Sequence, residues 1–204
     1  MLFLMRKGAG MLGGAGRRPG AASLFLLVVA IAAQVGGTAP ANAQQFSVPS
    51  NARTLILDAT NAYRAENGLP PLRLSPGASK AAQDYAKYLA STDKVGHRAD
   101  GRSARDRLKA VGMEVCHVWE NWHKSWADDG SRVPVEEAMA KAMTFWKNSP
   151  GHERTLRAPA REIGIGVIGW KHGKRWIYTE VQVFMDRSCL KRRPKERAFP
   201  PIVP

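Results

Sequence analysis

Five histidines are the first residues to ask about chemistry, because imidazole transfers protons and binds metals near neutral pH. One stands out by its setting. Trp146-Lys-Asn-Ser-Pro-Gly-His152 ends an apolar helical pattern in a tryptophan and delivers His152 on a Ser-Pro-Gly turn just before a strand pattern. Functional groups concentrate on such rigid connections. Ser149 lies three residues before His152, so a serine–histidine hydrolase can be drawn. The sequence argues against it, since an i,i+3 pair on one tight turn aligns nucleophile and base poorly and no G-x-S-x-G elbow is present. His117 alternates with Cys116 and Val118 on a strand pattern, His123 follows a tryptophan-rich segment, and His172 sits in a hairpin turn. These three read as structural or exposed.

The elements that must position His152 follow from periodicity. Helices are predicted over about 52–67, capped by Ser50, and over about 76–91, where Ser75 caps and Pro76 opens the first turn. Leu69–Leu74 is an extended connector, because a residue preceding proline is pushed out of the helical region. Gly96–Gly101 is a loop, and Ser103 caps a short helix ending near Val111. Glu114–Glu120 alternates like a strand, and Asn121–Val133 reads as a polar loop. Pro134 opens a helix over 135–146, with Glu136 and Glu137 at its positive end. Strands over 162–170 and 175–186 flank the hairpin signal at 171–174. Helices first and strands late predict an α+β domain, a small and mostly antiparallel sheet covered by helices.

The start of the chain carries a different message. Residues 1–43 hold four basic and no acidic groups, an apolar run at Ala21–Ala33 and an Ala41-Asn-Ala43 site. The run is shorter than the ~20 residues of a membrane span. Together these read as a secretory signal peptide, with an uncleaved anchor as the alternative. Residues 44–204 keep 27 basic and 17 acidic groups, a net charge of +10. Two cysteines, Cys116 and Cys189, in an exported chain predict a disulfide, with two buried thiols as the alternative. The stretch 190–204, with four prolines and a charge run, reads as a flexible basic tail. Secreted or periplasmic placement follows, nucleic acid is not an expected partner, and a monomer is expected.

Asn61-Ala-Tyr-Arg64, Gly68-Leu-Pro-Pro-Leu72, His97 with Asp106-Arg107, Glu120-Asn121-Trp122, Trp146-x-x-Ser-Pro-Gly-His152, Glu162-Ile-Gly-Ile-Gly166 and Val181-Gln-Val-Phe184 occur in that order over one domain length. The chain thereby resembles the CAP superfamily of cysteine-rich secretory and pathogenesis-related proteins, in its bacterial SCP-domain branch. The resemblance implies an α-β-α sandwich over about 44–189 and a cleft that gathers His97, Glu120 and His152. Where eukaryotic members keep a fourth acid, this chain has Ser149, and Glu162 is the candidate to compensate. Two imidazoles and a carboxylate could hold a divalent metal such as zinc with one position open to water. The spacing 97, 120, 152 is dispersed and signals little alone. The resemblance implies a binding module for a metal, lipid or cell-envelope ligand, with a metal-dependent peptidase or esterase as the alternative. Of the six tryptophans, most read as core or cleft wall, with sugar stacking a lesser reading for Trp122 or Trp126. Asp106-Arg107 reads as a structural ion pair or helix cap.

Overall fold

The computed structural model describes residues 46–192. Segment 1–43, read as a signal peptide, and residues 193–204 of the expected tail lie outside the described residues. In chain order the elements are β1 (Phe46–Ser47), α1 (Ala52–Glu66), β2 (Arg73–Leu74), α2 (Pro76–Thr92), α3 (Ala104–Ala110), β3 (His117–Trp126), α4 (Val135–Asn148), α5 (Pro150–Leu156), β4 (Glu162–His172) and β5 (Arg175–Asp186). A 3-10 turn, Ser188–Arg192, follows. Leu190–Arg192, assigned to the tail by composition, therefore belong to this turn.

The sheet runs β1-β4-β5-β3, antiparallel except where β2 joins β4 in parallel. Strand alternation sorts the core into two layers. Ile163, Ile165, Val167, Tyr178 and Phe184 meet α1, α4 and α5. Ile168, Trp170, Val181, Val183 and Met185 meet α2 and α3. This is an α-β-α sandwich, as expected.

The close approach of α2 to the sheet depends on small residues on both sides. A Cβ built on Gly164 would lie 2.2 Å from the carbonyl carbon of Ala78, and one on Gly166 would lie 2.3 Å from the Ala82 carbonyl carbon. On the other face Arg64, fully buried on α1, donates to the carbonyls of Pro70, Leu156 and Ala158 at 2.8–3.0 Å. It thereby ties the α5–β4 connection to the first helix. Burial lowers its pKa.

Three local expectations change. Asn51, not Ser50, precedes α1, and its side chain makes no capping bond; it donates instead to Glu136 Oε1 at 2.7 Å. The Ser-Pro-Gly turn opens a further helix, α5, with Ser149 as its N-cap residue and proline in the first turn. Finally, β3 begins at His117 and runs on to Trp126, through residues expected to be loop. The reason lies in its buried face. Asn121, His123 and Ser125 point inward, so the alternation puts polar groups where apolar ones signal a strand. Partners inside the protein offset that burial: Asn121 Nδ2 donates to Gln182 Oε1 at 3.3 Å, and Ser125 Oγ donates to Ala138 O at 3.1 Å.

Cys116 and Cys189 form a disulfide with Cα atoms 6.0 Å apart and a sequence separation of 73. It ties the chain before β3 to the 3-10 turn. Reduction should lower stability by about 4 kcal/mol, the chain-entropy value for a loop of this length. Urea unfolding with and without dithiothreitol measures it; coincident curves would show that the bond constrains nothing.

Candidate functional site at the β3 edge

His97 is placed by its loop, and the loop by two tyrosines of α2. Tyr85 Oη donates to Gly96 O at 2.5 Å and accepts from Ala99 N at 3.2 Å, and Tyr88 Oη donates to Ala99 O at 3.1 Å. Burial raises the pKa of Tyr85, so it remains a donor. Arg107 on α3 completes the frame. Its guanidinium lies 3.5 Å from the centre of the Tyr85 ring. It donates to Asp100 Oδ1 at 2.9 Å, Arg102 O at 2.8 Å, His97 O at 3.2 Å and Glu120 Oε2 at 2.5 Å. The other Glu120 oxygen is 3.0 Å from His97 Nδ1. Asp106 does not pair with Arg107. It closes a capping box with Ser103 at the start of α3.

His152 arrives from the other face of the sheet. Ser149 Oγ lies 2.8 Å from its Nδ1, and its peptide oxygen accepts from Asn121 Nδ2 at 3.2 Å. Burial lowers the His152 pKa, and the nearby charges of His97 and His123 lower it further. The imidazole is thus neutral at neutral pH.

These positions bring some expected residues together and separate others. Glu120 and Asn121 are successive residues of β3, so Glu120 faces α2 and α3 whereas Asn121 holds His152 on the α4 and α5 side. His97 and Glu120 meet directly. His152 meets Ser149 and feels His97 only through its charge. Glu162 pairs with Arg73 at 3.3 Å, and β5 lies between its strand and β3. Among the described residues, no three His, Cys, Asp or Glu side chains are grouped so as to hold a metal ion. The cleft beside His97 is a cavity of about 590 Å³, lined also by Arg98, Ser103, Trp119, Glu120 and Thr155.

Sequence reasoning missed a second titratable pair. His123, read as structural or exposed, faces inward on β3, opposite Glu180 of β5 in the strand register. His123 Nδ1 is 3.4 Å from Glu180 Oε2. Glu180 is fully buried, and neither of its carboxylate oxygens has a hydrogen-bond partner. Burial pushes its pKa up to about 7, against a smaller lowering by His123. The one available signal was a glutamate in mid-strand, between Thr179 and Val181.

The sign of the pH effect follows from that shift. The unfolded chain ionises Glu180 near 4.5, while the folded chain keeps it protonated up to about 7. Stability from this group is full below about 4.5, falls as pH rises, and levels off above about 7, a loss of up to about 3 kcal/mol. Glu180→Gln should flatten that slope in urea midpoints measured across the range; an unchanged slope would assign it to other groups.

The pattern of the cysteine-rich secretory protein family, the CAP domain, matches residues 57–184. With the α-β-α fold this settles the class: the chain belongs to that family. It is 26% identical over 147 residues to the uncharacterized protein YkwD of Bacillus subtilis, covering 68% of this chain and 52% of the relative. The chain thus spans about half the length of that protein. It is 26% identical over 129 residues to the human Golgi-associated plant pathogenesis-related protein 1, covering 60% of this chain and 76% of the relative. Among solved structures, an outer surface protein of Borrelia burgdorferi superposes with a TM-score of 0.57 at 18% identity, covering 71% of this chain and 98% of that one. An extracellular SCP-domain protein of Bacillus anthracis superposes at 0.52 with 22% identity, covering 66% and 40%. At these identities the superpositions speak for the fold alone.

Proposed function

We propose that this chain is an exported CAP-domain binding module that holds a lipid or cell-envelope ligand in the His97 cleft without turning it over. The observation that carries this reading is the occupancy of Glu120. Its two oxygens are engaged by His97 and Arg107, at 3.0 and 2.5 Å. A hydrolase of the kind the resemblance allows would need that carboxylate as metal ligand or base. As a three-residue zinc set His97, Glu120 and His152 do not fit, because Glu120 has no free oxygen and lies across β3 from His152. Its role is to orient the His97 ring, the part a carboxylate plays behind a histidine. Export is supported by the segment 1–43 and by relatives described as extracellular or outer-surface proteins.

The cleft combines an apolar wall, Trp119 and Val118, with a basic rim at Arg98 and Arg105. That pairing suits an amphipathic ligand with an anionic head. Displacement of a fluorescent fatty acid or anionic phospholipid from the purified protein is the test. Thr155→Trp, which fills the cavity, should weaken binding about tenfold or more. Failure of every lipid class to displace the probe would sink the proposal. Chelation should leave the melting temperature unchanged; a drop would reinstate a structural metal.

A further inference from the structure

A second cavity, of about 550 Å³, lies between β3 and α4 and is separate from the His97 cleft in its lining. Its walls are Trp126 at the end of β3 and Phe145 on α4. Five large hydrophobic side chains are exposed among the described residues, and the two aromatic ones are these, at 39% and 44%. The other three, Val48, Leu74 and Val95, line neither cavity. Both rings are part-exposed at one opening, and Phe145 is held in place by His123 and His152, at 4.6 and 5.2 Å between ring centres.

The floor is His123, whose ring lies 4.6 Å from that of Phe145 by centroids. Its Nδ1 side is committed to Ser125 Oγ at 3.1 Å and to the carboxylate of Glu180 behind it. Its Nε2 makes no hydrogen bond among the described residues and can act toward a ligand. A fully buried carboxyl group whose imidazole neighbour stands 3.4 Å away, too poorly aligned for a hydrogen bond, is costly to keep. Here it is kept directly behind the polar floor of a cavity. The rim carries Asp128 and the Glu137–Lys141 pair, 3.0 Å apart. That pair compensates itself, so the opening attracts no highly charged polymer, yet it offers donors and acceptors together.

We propose that this cavity is a carbohydrate site, which takes a neutral oligosaccharide by stacking pyranose rings on Trp126 and Phe145. Hydroxyls of the rings would bond to His123 Nε2, Asp128 and the Glu137–Lys141 pair. The chemistry of the walls favours this occupant over a lipid. The cavity opens to water between two half-exposed rings, where an alkyl chain would remain wet. A sugar covers each aromatic face with its C–H side and keeps its outer hydroxyls solvated. No turnover is proposed, since Glu180 is sealed behind His123 and cannot reach a glycosidic oxygen.

Isothermal titration of the full chain with a chitin tetrasaccharide and, separately, a cellulose tetrasaccharide tests the proposal. Both present flat equatorial rings, and they differ in the acetamide group, so the pair shows whether ring or acetamide is read. At least one should bind. Trp126→Ala and Phe145→Ala should each weaken it about tenfold or more, the loss of ~1.4 kcal/mol, while Trp126→Phe retains most of the affinity. Both substitutions are at exposed positions, and melting curves confirm folding. Absence of binding by both tetrasaccharides at millimolar concentration overturns the proposal. So does binding unchanged in the two alanine variants, and so does a fatty-acid probe displaced from this cavity in their place.

Discussion

Arg107→Leu is expected to destabilise the protein by about 3–5 kcal/mol, the usual cost of removing one partner from a buried ionic cluster. Three groups account for this. Asp100 and Glu120 are carboxylates whose side chains are about 95% buried, and both bond to this guanidinium. The third is the loop that carries His97, whose peptide oxygen Arg107 also holds. Leucine would fill much of the volume against Tyr85 while leaving Glu120 without its arginine and Asp100 with only the half-exposed Arg102 at 3.0 Å. Arg107→Lys should recover only part of the loss, because one ammonium cannot replace a planar fork that serves four acceptors. Urea unfolding gives the magnitude. Lipid-probe displacement gives the functional half, because His97 should lose its fixed orientation toward the cleft. A loss below about 1 kcal/mol would mean that the cluster relaxes onto water and does not frame the site.

The second large effect is at the sheet. Gly166→Val should cost more than about 4 kcal/mol or prevent folding altogether, because its Cβ would fall 2.3 Å from the backbone of Ala82 and Gln83. No side chain can rotate away, since the atoms in conflict are main chain. Relief would require α2 to lift from β4, and α2 also carries the tyrosines that hold the His97 loop. Gly151→Ala on α5 is the contrast. The nearest atom to its added Cβ is the end of Arg154, 4.0 Å away. Alanine there should stabilise by up to about 1 kcal/mol through helix propensity. Thermal melts of both variants are decisive: similar behaviour in the two would show that close packing at Gly166 is not what limits the distance between helix and sheet.

Much of the architecture was legible before folding. The helices at α1, α2, α3 and α4, the β4–β5 hairpin and the single cysteine pair follow from periodicity, caps and count, which are local properties. The candidate site was legible as a set of positions: His97, Glu120, Ser149 and His152 carry the motif. Their contacts were not. Glu120 looked like a ligand, and the structure makes it the carboxylate that two neighbours share. Asp106-Arg107, read as an ion pair or a helix cap, divides: Asp106 caps α3, and Arg107 belongs to Asp100 and Glu120. Glu162 looked able to join the cleft and pairs with Arg73.

The longest misreading, Asn121–Trp126 as loop, has the same origin. Whether a polar residue can face inward depends on what it meets there, and Asn121 meets Gln182 sixty-one residues away. By itself the sequence determined the class of fold, the order of its elements and the residue types at the β3 edge, because these rest on spacing along the chain. Only the tertiary structure decided which face of β3 each residue takes, which carboxylate is occupied, and that Glu180 lies buried beside His123. Burial and pairing between distant segments determine charge, availability and pKa, and none of these is a property of the chain read in one dimension.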